Sequence, residues 1–277
     1  MSNVPRHTVR SVIYGPVESR RFGLSLGINL SGGGKHCSFN CRYCFRGESE
    51  SGYSWSDFTA ALPGPDEISG ALEARLETGG GRDEGRRLDD ITLAGNGEPT
   101  DNPLFAGISA AVRRTVDDWF DTADRPCLSL LSNGYGLTVP GKARENREAF
   151  AVFDRPCIKI DSAVESTWKQ LMRPLRPVDY GKWTDAVVSV PGCYAQIMLV
   201  DGPEGAGYIN SSRRELEALI SFCTDWKTSG TLKGVYLVSM DKPGAQQGVY
   251  QISASRLADA ASDFRSAGIP VEWPPKP

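Results

Sequence analysis

Three cysteines lie close together near the amino end of the chain, at Cys37, Cys41 and Cys44. A disulfide between any two of them would strain a short loop and leave the third thiol unpaired. Thiolates this close together in a reducing compartment are usually metal ligands. The spacing therefore predicts a metal centre carried by the loop 31–47.

The number of thiolates limits the kind of metal centre. Structural zinc normally has four protein ligands, often in two close pairs, and no second pair of Cys or His follows at such a spacing. Three thiolates instead suit an iron–sulfur cluster in which one iron stays open for a substrate or cosubstrate. A zinc site that recruits His36 as its fourth ligand is the alternative.

A second group of residues follows a short apolar stretch at 90–94. The turn Gly95-Asn96-Gly97-Glu98 ends that stretch in glycines and a carboxylate. Glycines expose backbone groups to a ligand, and a carboxylate accepts hydrogen bonds from an ammonium group. This turn is therefore a candidate binding site, although glycine-rich turns are common.

Alternating strands and helices must position these two groups. The pattern predicts strands at 24–30, 90–94, 127–132, 157–162, 194–200, 234–240 and 269–273. It predicts helices at 65–78, 104–120, 144–153, 165–172, 180–190, 213–225 and 255–267. This alternation indicates an α/β protein with parallel strands. We expect one domain over 1–277, with a short carboxy-terminal extension at about 244–277 and a lid-like loop at 47–64.

The spacing Cys37-x3-Cys41-x2-Cys44, with Tyr43 before the last cysteine, resembles the signature of the radical S-adenosylmethionine (SAM) superfamily. The resemblance implies a partial (β/α)6 TIM-like barrel and a [4Fe-4S] cluster that binds SAM. One-electron reduction then yields methionine and a 5′-deoxyadenosyl radical, which takes a hydrogen atom from a substrate. It also implies that Tyr43 helps to hold the adenine and that Gly95, Asn96, Gly97 and Glu98 bind the amino group of SAM.

The resemblance extends to a subgroup. The opening Gly15-Pro16-Val17-Glu18-Ser19-Arg20-Arg21-Phe22-Gly23-Leu24-Ser25-Leu26-Gly27-Ile28 is similar to that of radical SAM proteins grouped with wyosine-synthesis-like enzymes. This likeness is specific for the cofactor and the fold, and it says little about the substrate.

The carboxyl ends of parallel barrel strands meet on one face, where such enzymes place their sites. This rule selects Ser132 and Asn133, Asp161, and Gln196 with Met198 as residues that line the cofactor site. Arg173 follows a helix and is a candidate partner for the methionine carboxylate or a substrate anion. Its alternative is a surface ion pair.

Three further cysteines suggest a fate for the substrate radical. Cys193, Cys127 and Cys157 are candidate hydrogen-atom donors, and such a thiol would make the protein an epimerase. Without one, the radical leads to dehydrogenation or rearrangement. The alternative is that each cysteine is a small buried apolar residue.

Composition excludes several functions. The 277 residues are 40% hydrophobic and 23% charged, with a net charge of −3 and a pI near 5.6. This balance disfavours nucleic acid as the main partner. No apolar run is long enough for a membrane helix, and a cytoplasmic location is expected.

The chain has only two histidines, which argues against a His-based triad and favours chemistry carried by a cofactor.

These observations predict a radical SAM enzyme, an oxidoreductase in the broad sense, that acts on a small metabolite related to carbohydrates or nucleosides. A one-electron donor such as flavodoxin or ferredoxin would be its protein partner. Modification of an RNA base is the rival within the same class. A zinc-binding or electron-carrying interaction protein is the rival from another class.

Overall fold

Parallel strands alternate with helices along most of the chain, as the sequence pattern predicts. The computed structural model describes residues 8–49, 62–80, 82–83, 86–242, 244 and 246–272. Within these residues the chain forms two compact units. The amino-terminal unit contains 8–37 and the described residues of 62–156, and the carboxy-terminal unit contains 38–49 and the described residues of 157–272.

The amino-terminal unit is built on parallel strands that follow one another in the sequence. Its strands are β1 Ile13–Ser19, β2 Gly23–Ile28, β3 Arg82–Asp83, β4 Arg86–Arg87, β5 Asp90–Leu93 and β6 Cys127–Ser132. Its helices are α1 Pro65–Arg75, α2 Phe105–Trp119 and α3 Ala143–Phe150, with a π turn at Leu76–Gly80 and 3-10 turns at Pro99–Asp101 and Tyr135–Leu137. Strands β2, β5 and β6 pair in parallel, in that order.

Strand β1 was not predicted and runs antiparallel to β2. This pair therefore differs from the parallel pairing of β2, β5 and β6. The Gly15-Pro16 step resembles a turn in the sequence, and the pairing register shifts between Tyr14 and Val17. Gly27 of β2 is required here because a Cβ at that position would lie 2.1 Å from the Tyr14 ring.

The carboxy-terminal unit repeats the pattern of parallel strands and helices. Its strands are β7 Arg155–Lys159, which begins at the boundary between the units, β8 Cys193–Met198, β9 Val200–Asp201, β10 Leu232–Val238, β11 Tyr250–Gln251 and β12 Val271–Glu272. Its helices are α4 Glu165–Met172, α5 Tyr180–Val188, α6 Arg213–Thr228 and α7 Ala254–Ser266. Strands β7, β8, β10 and β12 pair in parallel, and β9 pairs antiparallel with β11.

All seven predicted helices are present, with bounds that differ by a few residues. Most of the loop expected as a lid, residues 50–61, lies outside the described residues, as do Pro243, Ala245 and 273–277 of the expected carboxy-terminal extension. No helix in the described part of the chain is long and apolar enough to cross a membrane.

A buried carboxyl group, Asp90, joins the strands of the amino-terminal unit. It accepts hydrogen bonds from the hydroxyls of Ser25, Thr92 and Ser129, and Arg155 lies 3.4 Å away. Burial raises the pKa of Asp90 from 3.8 to about 6, although the hydroxyl donors oppose this shift. The folded protein therefore holds the Asp90 proton more tightly than the unfolded chain.

This raised pKa predicts a loss of stability as the pH increases. The contribution of Asp90 is complete below its unfolded pKa of 3.8 and is lost as the pH rises through about 6. That loss should amount to about 3 kcal/mol of unfolding free energy. Urea unfolding from about pH 4 to about pH 8 should show a loss of stability that is larger in the wild type than in Asp90→Asn by about 3 kcal/mol.

The exposed Asp118→Asn variant on α2 is the control and should keep the slope of the wild type. Equal slopes for the wild type and Asp90→Asn would contradict the raised pKa.

Candidate functional site

The segment that carries Cys41 and Cys44 is fixed to the end of α4. The amides of Asn40 and Arg42 donate to the carbonyls of Arg173 and Leu171, at 3.0 Å each. Arg173 has a left-handed backbone conformation, with φ 49°, which turns the chain back toward this segment. The main chain on both sides of Cys41 is therefore held by backbone hydrogen bonds before any metal is bound.

Tyr43 is buried beside Cys41 in the same unit. Its hydroxyl donates to Oδ2 of Asp161 and lies 3.4 Å from Sδ of Met172, which is also 3.7 Å from the Cys41 sulfur. Burial raises the pKa of Tyr43 well above its usual value, and the Asp161 charge adds to this effect. Tyr43 is therefore a neutral hydrogen-bond donor at any ordinary pH.

Asp161 links the cysteine segment to the neighbouring strand. Its Oδ1 accepts from the amide of Met198 at 2.7 Å, so two predicted site residues on β8 and after β7 are in contact. Asn210 donates to the carbonyls of both Asp161 and Met198, at 2.5 and 2.8 Å. Asn210 was not predicted, because an asparagine in a polar loop has no sequence signal that distinguishes it from other turn residues.

Gln196, also on β8, is buried, and its side-chain oxygen has no hydrogen-bond partner in the described part of the chain. Its neighbour on the adjacent strand β7 is Lys159, whose ammonium lies 4.6 Å from the centre of the Tyr43 ring and 3.9 Å from the Asp161 carboxylate. Lys159 and Met172 were missed by the sequence analysis. A lysine at the end of a predicted strand is a sequence signal that could have indicated a site residue. Met172 has no such signal, because it resembles any apolar residue of a helix.

In the amino-terminal unit, the turn at 95–98 is packed against the residue that precedes Cys37. The Glu98 amide donates to the His36 carbonyl at 2.9 Å. A Cβ at Gly97 would lie 1.6 Å from the same carbonyl oxygen and 2.6 Å from the Ser31 hydroxyl. Gly97 is therefore needed for the close approach of two backbones, rather than for a positive φ.

A Gly97→Ala substitution should displace the His36 carbonyl, because this backbone oxygen cannot rotate away from the new Cβ. The substitution should destabilise the protein by about 3 kcal/mol or more. Urea unfolding is the measurement. Gly70→Ala in α1 is the matched control, because a Cβ there meets no atom within 4 Å. That variant should be unchanged or more stable by up to about 1 kcal/mol. Equal stabilities of the two variants would show that the contact at Gly97 is easily relieved.

The Glu98 carboxylate is buried and binds four donors of its own unit. Oε1 accepts from the amide and hydroxyl of Thr100 and from the Ser132 hydroxyl, and Oε2 accepts from the Asn133 amide at 2.6 Å. Burial raises the pKa of Glu98, and these hydrogen bonds oppose the shift. The predicted residues Glu98, Ser132 and Asn133 are thus together, and the Asn133 side chain lies 3.8 Å from the Cys37 sulfur.

Thr100 completes this group and was not predicted. A threonine two residues after a carboxylate at the start of a helical turn is a recognised capping arrangement, so the signal was present in the sequence. Each oxygen of Glu98 already accepts from a protein donor. The expectation that Glu98 accepts from an ammonium group stays a prediction.

Asn96 uses its side chain to fix the start of the described chain. Its amide group exchanges hydrogen bonds with the main chain of Val9 and also donates to the Gly32 carbonyl at 2.8 Å. Asn29 accepts from the Asn96 backbone amide at 3.1 Å, and its side chain occupies the space where a Cβ of Gly95 would lie. Asn96 therefore supports the turn, and its role toward SAM stays a prediction.

Four predicted residues remain, Arg173 and three cysteines. Arg173 forms an ion pair with Glu48 at 2.6 Å, which is the alternative that the sequence left open. Cys127 and Cys193 begin β6 and β8, at the opposite strand end from Ser132 and Met198. Burial raises the pKa of both thiols. Cys157 is buried within β7. The role of these three thiols as hydrogen-atom donors stays a prediction without support from their positions.

The donor set near residue 40 fits an iron–sulfur cluster. Cys37 and Cys44 are partly exposed, Cys41 is buried, and none of the seven cysteines, all of them described, forms a disulfide. Soft thiolates are the ligands that such clusters take. Among the described residues, no group of three or more His, Cys, Asp or Glu side chains is already placed to hold a metal ion.

Comparison with known proteins identifies related chains and the fold. No protein family model matches the chain. A UPF0026 protein of Helicobacter pylori (strain J99) is 25% identical over 239 residues, which are 84% of this chain and 68% of that protein. A UPF0026 protein of Methanocaldococcus jannaschii is 29% identical over 180 residues, 65% of this chain and 49% of that protein.

A solved structure shares the fold. The crystal structure of Streptococcus suis SuiB bound to S-adenosylmethionine aligns with 91% of this chain at 13% identity and a TM-score of 0.59. The predicted fold class is therefore confirmed: the chain has an α/β fold of the partial TIM-barrel type. It spans only half the length of SuiB and of the M. jannaschii relative.

Proposed function

We propose that this chain is a radical SAM enzyme, in which Cys37, Cys41 and Cys44 bind a [4Fe-4S] cluster. The observation that carries the proposal is the donor set: three thiols within eight residues, on a segment whose main chain is fixed on both sides of Cys41. The likeness to SuiB supports it through the fold and through the SAM that is bound in that protein. The UPF0026 relatives do not specify a reaction.

With the cluster bound, one-electron reduction would supply the electron that splits SAM into methionine and a 5′-deoxyadenosyl radical, which takes a hydrogen atom from the substrate. The chain's own residues position the reactants. Tyr43, a neutral donor held by Asp161, keeps the main chain of the cysteine segment in place for the adenine. The turn at 95–98, fixed by His36 and by the four donors of Glu98, presents backbone groups to the amino group of SAM.

The substrate in this proposal is a small metabolite, and the electron donor is a protein such as flavodoxin or ferredoxin. The net charge of −3 supports a small molecule over a nucleic acid backbone. The outcome of the radical step is an epimerisation, a dehydrogenation or a rearrangement.

Anaerobic reconstitution with iron, sulfide and a strong reductant tests the proposal. We expect about four irons per chain and formation of 5′-deoxyadenosine from added SAM, detected by mass spectrometry. A colourless protein with one zinc per chain would refute the cluster. A full cluster that binds SAM without cleaving it, in the presence of reductant and a metabolite extract, would refute the radical mechanism.

A further inference from the structure

The side-chain oxygen of Gln196 is buried without a hydrogen-bond donor from the described residues. The residue is only 2% exposed, and no described residue forms a hydrogen bond with Oε1. Buried polar atoms in folded proteins are nearly always hydrogen-bonded, and leaving one unpaired destabilises the protein. A ligand that donates a hydrogen bond to this oxygen would account for a glutamine at this position.

A positive charge stands beside Gln196. Lys159 on β7 is its direct partner in the parallel sheet, so both side chains leave the same face, about 5 Å apart. The Lys159 side chain is 19% exposed, and its nearest carboxylate among the described residues is that of Asp161, at 3.9 Å. Both Asp161 oxygens already accept hydrogen bonds, from Tyr43 and from the Met198 amide. The ammonium of Lys159 therefore keeps donors for an anion.

Two aromatic rings continue the same face on the other side of Gln196. Tyr236 on β10 is its partner in the sheet, and the rings of Tyr194 and Tyr236 lie 5.4 Å apart. Such rings provide an apolar surface for the carbon skeleton of a ligand. The face thus presents, in order, a cation, a hydrogen-bond acceptor and an aromatic surface.

We propose that Lys159 and Gln196 form a substrate subsite for a carboxylate with a hydroxyl group on the neighbouring carbon. Lys159 binds the carboxylate, and Gln196 Oε1 accepts from the hydroxyl. A hydroxyl is favoured over an ammonium because Lys159 repels a second positive charge. The inference rests on the proposed function, since it assigns the substrate class of that site: a small hydroxy acid, such as a sugar acid.

Thermal unfolding of the reconstituted protein with three simple probes tests the subsite. Lactate carries both groups, lactamide lacks the charge and propionate lacks the hydroxyl. At about 50 mM, lactate should raise the Tm by a few degrees more than either analogue. Lys159→Met should abolish the difference between lactate and lactamide, and Gln196→Met the difference between lactate and propionate. Lys233→Met, an exposed lysine on β10, is the control and should behave as the wild type.

The variants also separate binding from structure. Without probes, Gln196→Met should raise the Tm, because it removes an unpaired buried oxygen, whereas a lower Tm would show an internal partner and overturn the proposal. Equal shifts with all three probes, or no shift in the wild type, would also overturn it.

SAM binding to Lys159→Met, measured by equilibrium dialysis, should stay within about twofold of the wild type. A rise of tenfold or more in the SAM Kd would assign Lys159 to the SAM carboxylate instead. If the wild type binds no SAM, the proposed function fails, while the comparison of probes still decides the subsite.

Discussion

Replacing Cys41 with alanine should remove the iron and abolish SAM cleavage. The proposed cluster has only three protein ligands, so losing one thiolate leaves two, which do not hold a four-iron cluster. We expect the iron content to fall from about four to below about one per chain and 5′-deoxyadenosine to fall to the uncatalysed background. Cys37→Ala and Cys44→Ala should give the same result.

The fold should survive this change. The Cys41 side chain is small, and its sulfur contacts Met172 at 3.7 Å, so truncation to alanine should cost about 1 to 2 kcal/mol. Cys223→Ala is the matched control, since Cys223 is also buried but lies on α6 in the core. It should keep its iron. A Cys41→Ala variant that retains both iron and SAM cleavage would contradict the ligand assignment.

The main elements were predictable because their local sequence signals agree with their environment. The stretch at 127–132 is apolar and ends at Asn133-Gly134, and it forms β6 with the same bounds. Strand β1 was missed because Gly15-Pro16 resembles a turn. In the structure it pairs with β2 and the Tyr14 ring packs over Gly27, a contact between residues that no local pattern connects.

The candidate site was predictable as a set of positions and less so as a set of roles. The motif at 95–98 and the strand-end rule select Glu98, Ser132 and Asn133, and the structure brings these three residues together. The sequence did not reveal that these residues bind one another. Side chains that bind a ligand and side chains that support a turn are of the same residue types. Only the distances between the side chains in the structure distinguish these two functions.

Glu98 should therefore contribute strongly to stability. Glu98→Ala leaves the buried amides of Thr100 and Asn133 without an acceptor, while the two hydroxyls can rotate toward other partners. Each unpaired buried amide costs about 1 to 3 kcal/mol, so the variant should lose about 3 to 5 kcal/mol of unfolding free energy. Glu98→Gln should lose less, about 2 kcal/mol, because one oxygen still accepts but the amide nitrogen opposes another donor. Urea unfolding measures both.

Glu217→Ala is the control for the loss of a carboxylate. Its ion-pair partner among the described residues is Arg213, one turn away on the exposed side of α6, and its removal should change stability by less than about 0.5 kcal/mol.

The Gln variant then distinguishes a supporting role of Glu98 from a direct one. If Glu98 only supports the turn, folded Glu98→Gln should keep its iron and bind SAM nearly as the wild type does. If its charge contacts the SAM ammonium, the SAM Kd should rise by at least about tenfold while the stability loss stays near 2 kcal/mol. A carboxylate that already binds four donors favours the first result, because an ammonium would have to displace one of them.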